Sequence, residues 1–534
     1  MIQSAAQPTI VTLNRKQFVG TIAGLQMILL LAALDQTIIT TAMPRIVSEL
    51  GGFNRYAWAT TAYLLTSTLA VPIFGRLSDT YGRKNILIVG VITFIIGSVL
   101  CGFAGAPIPV NAMTQLIAAR VVQGTGGGIM LGLIFTVIAD ILAPADRGRY
   151  QGHFAATFAL ASIVGPTLGG WVADQFTWRW LFFINVPIGA LALCVFCASF
   201  PKVAQGRRKV KLDFLGIMVF TAFLVPLLVG LGWVEEYDHI AAPVVVAFIF
   251  SAVMACLFIP IELRAEQPLM PVMLFLKPII AISSISLFVT GIGLFGSILL
   301  IPLFLQAVVG VSAATSGALL TPLILAVAAA SVLGGLSLSH SKRYKSLVIF
   351  ALLLMCVGVY SLSKITVSSP LTMIMSYMLV VGAGMGLLLP VYTIVIQNAV
   401  PQDKLGTVTG FSQFFRSIGG TVGVAAFGSL MLSSYRQNLR TLLPPDLPAA
   451  AKALLENPLE PNRLRVQLSV ALSHSHSATS AALLDHVRYA LVLAIDHVFM
   501  LYTGALAITL MITLWLEDRP LRSKTELEQT DVIS

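Results

Sequence analysis

The chain has 534 residues, of which 57% are hydrophobic and only 10% charged, and its formal net charge is +10. Soluble domains carry about 25% charged residues, so a chain this long and apolar could not cover its own surface with polar groups in water. Lipid is the alternative solvent, and it excludes the ordinary soluble enzyme classes at the outset.

The first sixteen residues, MIQSAAQPTIVTLNRK, are polar and lead into an apolar stretch too long for the h-region of a cleaved signal, so that stretch predicts a retained first helix. A bilayer crossing needs about 20 mainly apolar residues. Fourteen segments meet this: 18–43, 56–75, 86–106, 111–139, 151–173, 180–200, 213–233, 240–262, 279–305, 313–339, 346–363, 371–398, 406–433 and 489–515. The predicted fold class is an all-α membrane protein. An even count puts both termini on one side. With the termini inside, the inner segments hold 21 Lys and Arg and the outer ones 10, of which six fall in the long loop 434–488. Long loops weigh little in the positive-inside rule, so the basic excess reads as topology with cytoplasmic termini, not as a nucleic-acid patch. The cluster Lys202, Arg207, Arg208, Lys209 and Lys211 suits a loop against anionic headgroups.

Two echoes disclose an internal repeat. Gly75–Lys84 (G-R-L-S-D-T-Y-G-R-K) is matched by Gly334–Arg343 (G-G-L-S-L-S-H-S-K-R), and Gly124, Gly126 and Gly128 by Gly382, Gly384 and Gly386. Both pair a span with the one eight later, which predicts two parallel six-helix bundles separated by two extra helices. The expected division is residues 1–204, a linker pair at 205–270, and 271–534 with the external loop 434–488. The unusual charges were not duplicated. Asp79 corresponds to Leu338, Arg120 to Met378 and Asp35 to about Gly293, so coupling chemistry is expected in the first bundle.

A charge deep in a bilayer costs several kcal/mol unless paired or hydrated, which makes each one a functional candidate. With the spans above, Asp35 and Arg120 lie roughly 12 and 14 Å from the outer ends of spans 1 and 4. An acid between desolvation and a fixed positive neighbour can exchange protons near neutral pH. The same pair also suits a static tie between the two spans. Arg120, Gln123, Gly124 and Gly127 share one helical face, where the glycines admit a neighbour or a substrate. Arg416 in span 13 either lines the cavity or bonds backbone carbonyls. Asp496 reads as a second acid or as an interfacial residue about 10 Å into a span starting at 489. Tyr63, Gln123, Phe158, Phe295, Gln306 and Arg416 are the candidate substrate lining.

Several of these segments resemble one family. Gly75–Lys84 is similar to the major facilitator signature between helices 2 and 3. L-D-Q-T-I-I-T-T-A-M-P (Leu34–Pro44), R-V-V-Q-G-T-G-G-G (Arg120–Gly128), G-P-T-L-G-G (Gly165–Gly170) and W-R-W-L-F-F-I-N-V-P-I-G (Trp178–Gly189) resemble signatures of the fourteen-helix drug:proton antiporters. The resemblance implies the major facilitator fold and export of lipophilic, often cationic compounds in exchange for protons across a bacterial cytoplasmic membrane, by a chain working as a monomer. It assigns proton coupling to Asp35 and Arg120. It makes Gly75, Asp79, Gly82 and Arg83, with Asp140, a cytoplasmic gate. It gives Gly165, Pro166, Gly169 and Gly170 the bend and close packing of helix 5. A carrier for a physiological lipid, siderophore or metabolite on the same scaffold is the alternative.

No G-x-x-x-x-G-K-S/T occurs, so ATP is not expected to drive this chain directly. No cofactor, metal or nucleic-acid partner is expected. Cys194 and Cys197 are a turn apart in an apolar span with no second Cys/His pair, and His474 and His476 sit in a Ser/Ala-rich loop.

Overall fold

The computed structural model describes residues 13–50, 56–107, 109–142, 144–201, 213–236, 241–265, 268–270, 272–311, 313–341, 343–400, 405–443, 480–518 and 521. The first set of helices is α1 (Arg15–Leu50), α2 (Tyr56–Tyr81), α3 (Arg83–Gly102), α4 (Ala112–Ile141), α5 (Pro144–Gln175), α6 (Trp180–Phe183) and α7 (Asn185–Ser199). A hairpin follows, of α8 (Phe214–Glu236) and α9 (Ala242–Arg264). The second set is α10 (Val272–Phe275), α11 (Pro278–Leu303) with a π turn (Phe304–Val309), α12 (Ala313–Leu319), α13 (Thr321–Ser341), α14 (Lys345–Leu362), α15 (Leu371–Asn398), α16 (Leu405–Leu442) and α17 (Ser480–Thr513).

Local chemistry explains the boundaries. Asn111 Oδ1 accepts from the Met113 amide at 3.0 Å and caps α4. Pro278 opens α11, where its missing N–H costs nothing. Gly82 joins α2 to α3 at φ +91°, a left-handed conformation that disfavours any side chain. Gly310, at φ +85°, ends the π turn in the same way.

Among the described residues, twelve helical segments are long and apolar enough to cross a membrane, against the fourteen expected. The other two expected spans fall on α2 and α5, which match the others in length and whose side chains lie partly outside the described residues. Both lie between the bundles, α2 beside α16 and α5 beside α13. The apolar exterior is plain on α3, α7, α9 and α14, where Ile92, Leu191, Ile249 and Val357 are exposed.

Each set of helices has its own core. Leu25, Ile28, Leu133, Val137 and Phe196 fill the first. Leu352, Met355, Met385, Leu388 and Val498 fill the second. The duplicated glycines do the same work in both. A Cβ on Gly124 or Gly128 would run into α2 at Tyr63 or Ser67, and one on Gly126 into α3 at Phe94. A Cβ on Gly382 or Gly386 would run into α13 at Leu323 or Val327, and one on Gly384 into α14 at Met355. So α4 and α15 each press closely on two neighbours, with alternate glycines serving alternate sides. The hairpin α8–α9 braces the junction. Phe220, Leu224 and Phe258 pack with Phe411, Phe414 and Ile418 of α16 and with Leu65 and Leu69 of α2.

Two expectations shift and one goes untested. α1 runs on to Leu50 rather than ending at 43, so Asp35 lies deeper within its helix than the span arithmetic placed it. α17 begins at Ser480 rather than 489, which puts Asp496 near the middle of its helix. Most of the external loop, residues 444–479 with His474 and His476, lies outside the described residues.

The two sets meet by backbone at the end that carries Arg15, Arg83 and Lys345, here called the basic end. A Cβ on Gly148 would meet Gly335 Cα at 2.9 Å, and one on Gly75 would meet the Gly406 carbonyl at 3.1 Å. Gly335→Leu should therefore hold α5 and α13 apart. In a cysteine-free background, a reporter cysteine at Val332, which faces Gly152 across the same seam, should then be alkylated at least about tenfold faster. Unchanged labelling would show that the seam is not held by this contact.

Candidate functional site

The deepest polar cluster is built by four helices. α1 supplies Asp35, α3 Ser98, α4 Arg120 and Gln123, and α7 Asn185, and all five are buried. Arg120 Nη1 donates to Asp35 Oδ2 at 2.9 Å and to Gln123 Oε1 at 2.7 Å. Asp35 Oδ1 accepts from Gln123 Nε2 at 2.7 Å and from Asn185 Nδ2 at 2.9 Å. Ser98 Oγ accepts from both amides, at 3.1 and 2.8 Å, and donates to the Phe182 carbonyl at 2.9 Å. Arg120 also reaches the Ala59 carbonyl at 3.3 Å, and its guanidinium lies 4.1 Å from the centroid of the Tyr63 ring.

The backbone makes this closeness possible. Gly97 lies against the backbone of Gln123, so α3 approaches α4 without a side chain between them and Ser98 reaches the amide. With Asp35 and Arg120 each 2% exposed, the ion pair is stabilised by satisfied hydrogen bonds rather than by water. Low dielectric strengthens each bond, and it makes the loss of one partner costly.

A second cluster closes the basic end. Arg83 pairs with Asp79, and its Nε donates to Asp140 Oδ2 at 3.0 Å. Its Nη1 also donates to Ser78 Oγ at 2.7 Å. Asp79 Oδ2 accepts from the backbone amide and hydroxyl of Thr407 at 3.1 and 2.7 Å, which ties α2 to α16 across the two bundles. Arg147 adds a parallel tie. It donates to the Ala139 and Leu142 carbonyls at 2.8 and 3.0 Å and to Gln397 Oε1 at 3.2 Å, and Gln397 donates on to Thr409 at 2.9 Å.

The sequence candidates fall into three groups. Asp35, Arg120, Gln123 and Tyr63 come together in the buried cluster, and Gly75, Asp79, Gly82, Arg83 and Asp140 come together at the basic end. In α5, Gly165 lies against Thr37 of α1 and Gly169 is buried, while the surroundings of Pro166 and Gly170 lie outside the described residues. The remaining lining candidates are dispersed. Phe158 packs on the first core, Phe295 faces Gly420 of α16, and Gln306 in the π turn donates to Ser316 at 2.8 Å. Asn185, Ser98, Thr407, Arg147 and Gln397 were not anticipated. The one signal for Asn185 is its position in the I-N-V-P segment, an amide within an apolar run.

The sequence profile described as Major Facilitator Superfamily matches residues 26–424. The chain belongs to the Major Facilitator Superfamily. It is 35% identical over 523 residues to the multidrug transporter protein MdtP of Bacillus subtilis, covering 96% of this chain and 95% of that one. It is 32% identical over 481 residues to multidrug resistance protein 3 of the same organism, covering 90% and 91%. Among solved structures, the major facilitator proton:xylose symporter XylE aligns with TM-score 0.63 at 13% identity, over 97% of this chain and 99% of that one. The human organic anion transporter MFSD10 aligns with TM-score 0.58 at 14% identity, over 92% and 100%. These structures establish the major facilitator fold. The chain is a transporter of small molecules and not an enzyme.

Breaking a buried pair by deleting one partner costs about 3–5 kcal/mol, because the other charge is left stranded. Arg120→Ala should therefore lower the thermal midpoint of the purified transporter markedly, and adding Asp35→Asn should recover much of the loss. Fluorescence-detected unfolding in nanodiscs reads both. Equal, additive losses would mean that the two side chains do not act as a pair.

Proposed function

We propose that this transporter is a fourteen-helix proton-coupled antiporter that exports lipophilic, often cationic, drugs or toxic compounds across a bacterial cytoplasmic membrane, with both termini cytoplasmic. In this reading α2 and α5 are the two crossings that add to the twelve apolar segments. The chain divides into bundles at 1–204 and 271–534 around a linker pair at 205–270, and it works as a monomer. Relatives named for multidrug transport and multidrug resistance over nearly the whole length support the cargo class.

The observation that carries the mechanism is where the Asp35–Arg120 pair stands. Asp35 is on α1, whose Thr37 lies against Gly165 of α5, and α5 carries the Gly148 seam to the second bundle. Arg120 is on α4, whose Gly124 and Gly128 press on α2, and α2 carries Gly75 and the Asp79 tie to Thr407. The pair thus joins the two helix stacks that reach across to the second bundle. A proton on Asp35 cancels its charge, weakens the bond from Arg120 and changes how α1 sits on α4. Both seams inherit the change.

In this reading the closed basic end is the cytoplasmic one, which makes this an outward-facing state. A proton entering from outside neutralises Asp35 and releases cargo outward. The latch of Arg83, Asp79 and Asp140 then opens, and loss of the proton to the cytoplasm resets the pair. Exchange of one monovalent cation for one proton moves no net charge. Unequal exchange would add about 2.3 kcal/mol per net charge for each 100 mV.

Ethidium efflux tests this. Cells with the transporter should hold less dye, and an uncoupler should abolish the difference. Asp35→Asn at equal abundance should lose about tenfold or more of the uncoupler-sensitive rate. Efflux by Asp35→Asn matching the parent would remove the acid from the coupling role.

A further inference from the structure

The wall of the second bundle carries a charge that the mechanism leaves unused. Arg416 lies in α16 and is half-buried, and among the described residues it has no ion pair and no hydrogen-bond partner. Its helical face also holds Thr409, Gln413 and Gly420, at i−7, i−3 and i+4. All three are buried, so the face looks into protein rather than out to lipid. Gln413 repeats the anomaly, for its Oε1 is buried without a donor. One turn beyond, Gly420 abuts the ring of Phe295 on α11.

Depth follows from the packing register. A Cβ on Gly410 would meet the Val71 carbonyl at 3.2 Å and Pro72 Cα at 3.5 Å, which fixes α16 against α2. Six residues further along α16, about 9 Å at 1.5 Å per residue, is Arg416. The same climb along α2 reaches residues 65 and 66, within one turn of Tyr63, whose ring lies on Arg120. Arg416 therefore stands near the level of the buried cluster, on the facing bundle.

The charge balance at this level is one-sided. Both carboxylate oxygens of Asp35 are engaged, by Arg120, Gln123 and Asn185. Among the described residues, a cationic ligand finds no free carboxylate there unless Asp35 first leaves Arg120. An anionic ligand needs no such rearrangement. Asp496 does not balance Arg416. Its neighbour His497 bonds Ser434 at 3.0 Å, which puts it about 27 Å further along α16.

We propose that Arg416 and Gln413 form a subsite for amphiphilic organic acids. The carboxylate meets the guanidinium fork, a ligand hydroxyl or N–H supplies the missing donor to Gln413 Oε1, and the apolar body lies toward Phe295. Planar guanidinium matches a carboxylate in two parallel bonds, which an ammonium cannot reproduce. The proposal rests on the efflux reading for its setting and extends the cargo class from cations to acids.

Binding of anthracene-9-carboxylate, its neutral carboxamide and the cationic 9-anthracenylmethyl-trimethylammonium to the purified protein in phosphatidylcholine nanodiscs tests it. The acid should bind at least about tenfold more tightly than the amide or the cation. Arg416→Gln should erase that preference, with Arg416→Lys falling between. Equal binding of acid and amide by the parent protein would overturn the subsite whether or not Arg416→Gln folds, and so would an unchanged preference in Arg416→Gln. In phosphatidylglycerol nanodiscs the acid should keep its affinity. Loss of acid binding there would assign Arg416 to lipid headgroups and overturn a soluble ligand. No gradient or turnover is involved, so a failure of proton coupling leaves these readings intact.

Discussion

A carboxylate and a guanidinium held out of water, each tolerable only because the other is there, set the terms for the rest of this molecule. Asp35 and Arg120 are both 2% exposed, and the polar side chains of three other residues hold them there. Gln123 bonds both members of the pair, Asn185 reaches across from α7, and Ser98 orients the two amides. Such a network is rigid while complete and expensive when one bond is removed. A single proton is a small perturbation in water and a large one here.

The duplicated frame and the unduplicated charges divide the labour. The glycine ridges of α4 and α15 press on equivalent neighbours, so the two sets of helices are built by the same packing rule. Among the described residues, only the first has a buried acid paired with a base at its centre. At the level of that pair, the second offers Arg416, which has no ion pair or hydrogen-bond partner among the described residues. The two walls differ in kind. One is internally neutral and closed, and the other has an open valence.

Much of this was legible in the sequence because its signals are local. Apolar runs mark the helices, and a charge in such a run is conspicuous, so Asp35 and Arg120 stand out from the sequence, while Asp79, Arg83 and Asp140 stand out only through the family resemblance. The neutral partners were not. An Asn, Ser or Thr in an apolar helix differs little from a packing residue until another helix comes within hydrogen-bond reach, and α7 reaches α1 across 150 positions of chain. Helix ends were misjudged for a related reason. α1 and α17 run past their apolar stretches, since a helix continues wherever its backbone is bonded, whatever solvent its side chains meet.

The seam at the basic end is made of glycine facing glycine, at Gly148 with Gly335 and at Gly75 with Gly406 and Gly410. At those points no side chains interdigitate, so parting them requires no rotamer to flip and no knob to leave a hole. Friction in the stroke then falls almost wholly on the few polar clasps beside it. Evolution could retune the speed of the cycle by exchanging Thr407 or Gln397 alone, leaving the sliding faces untouched.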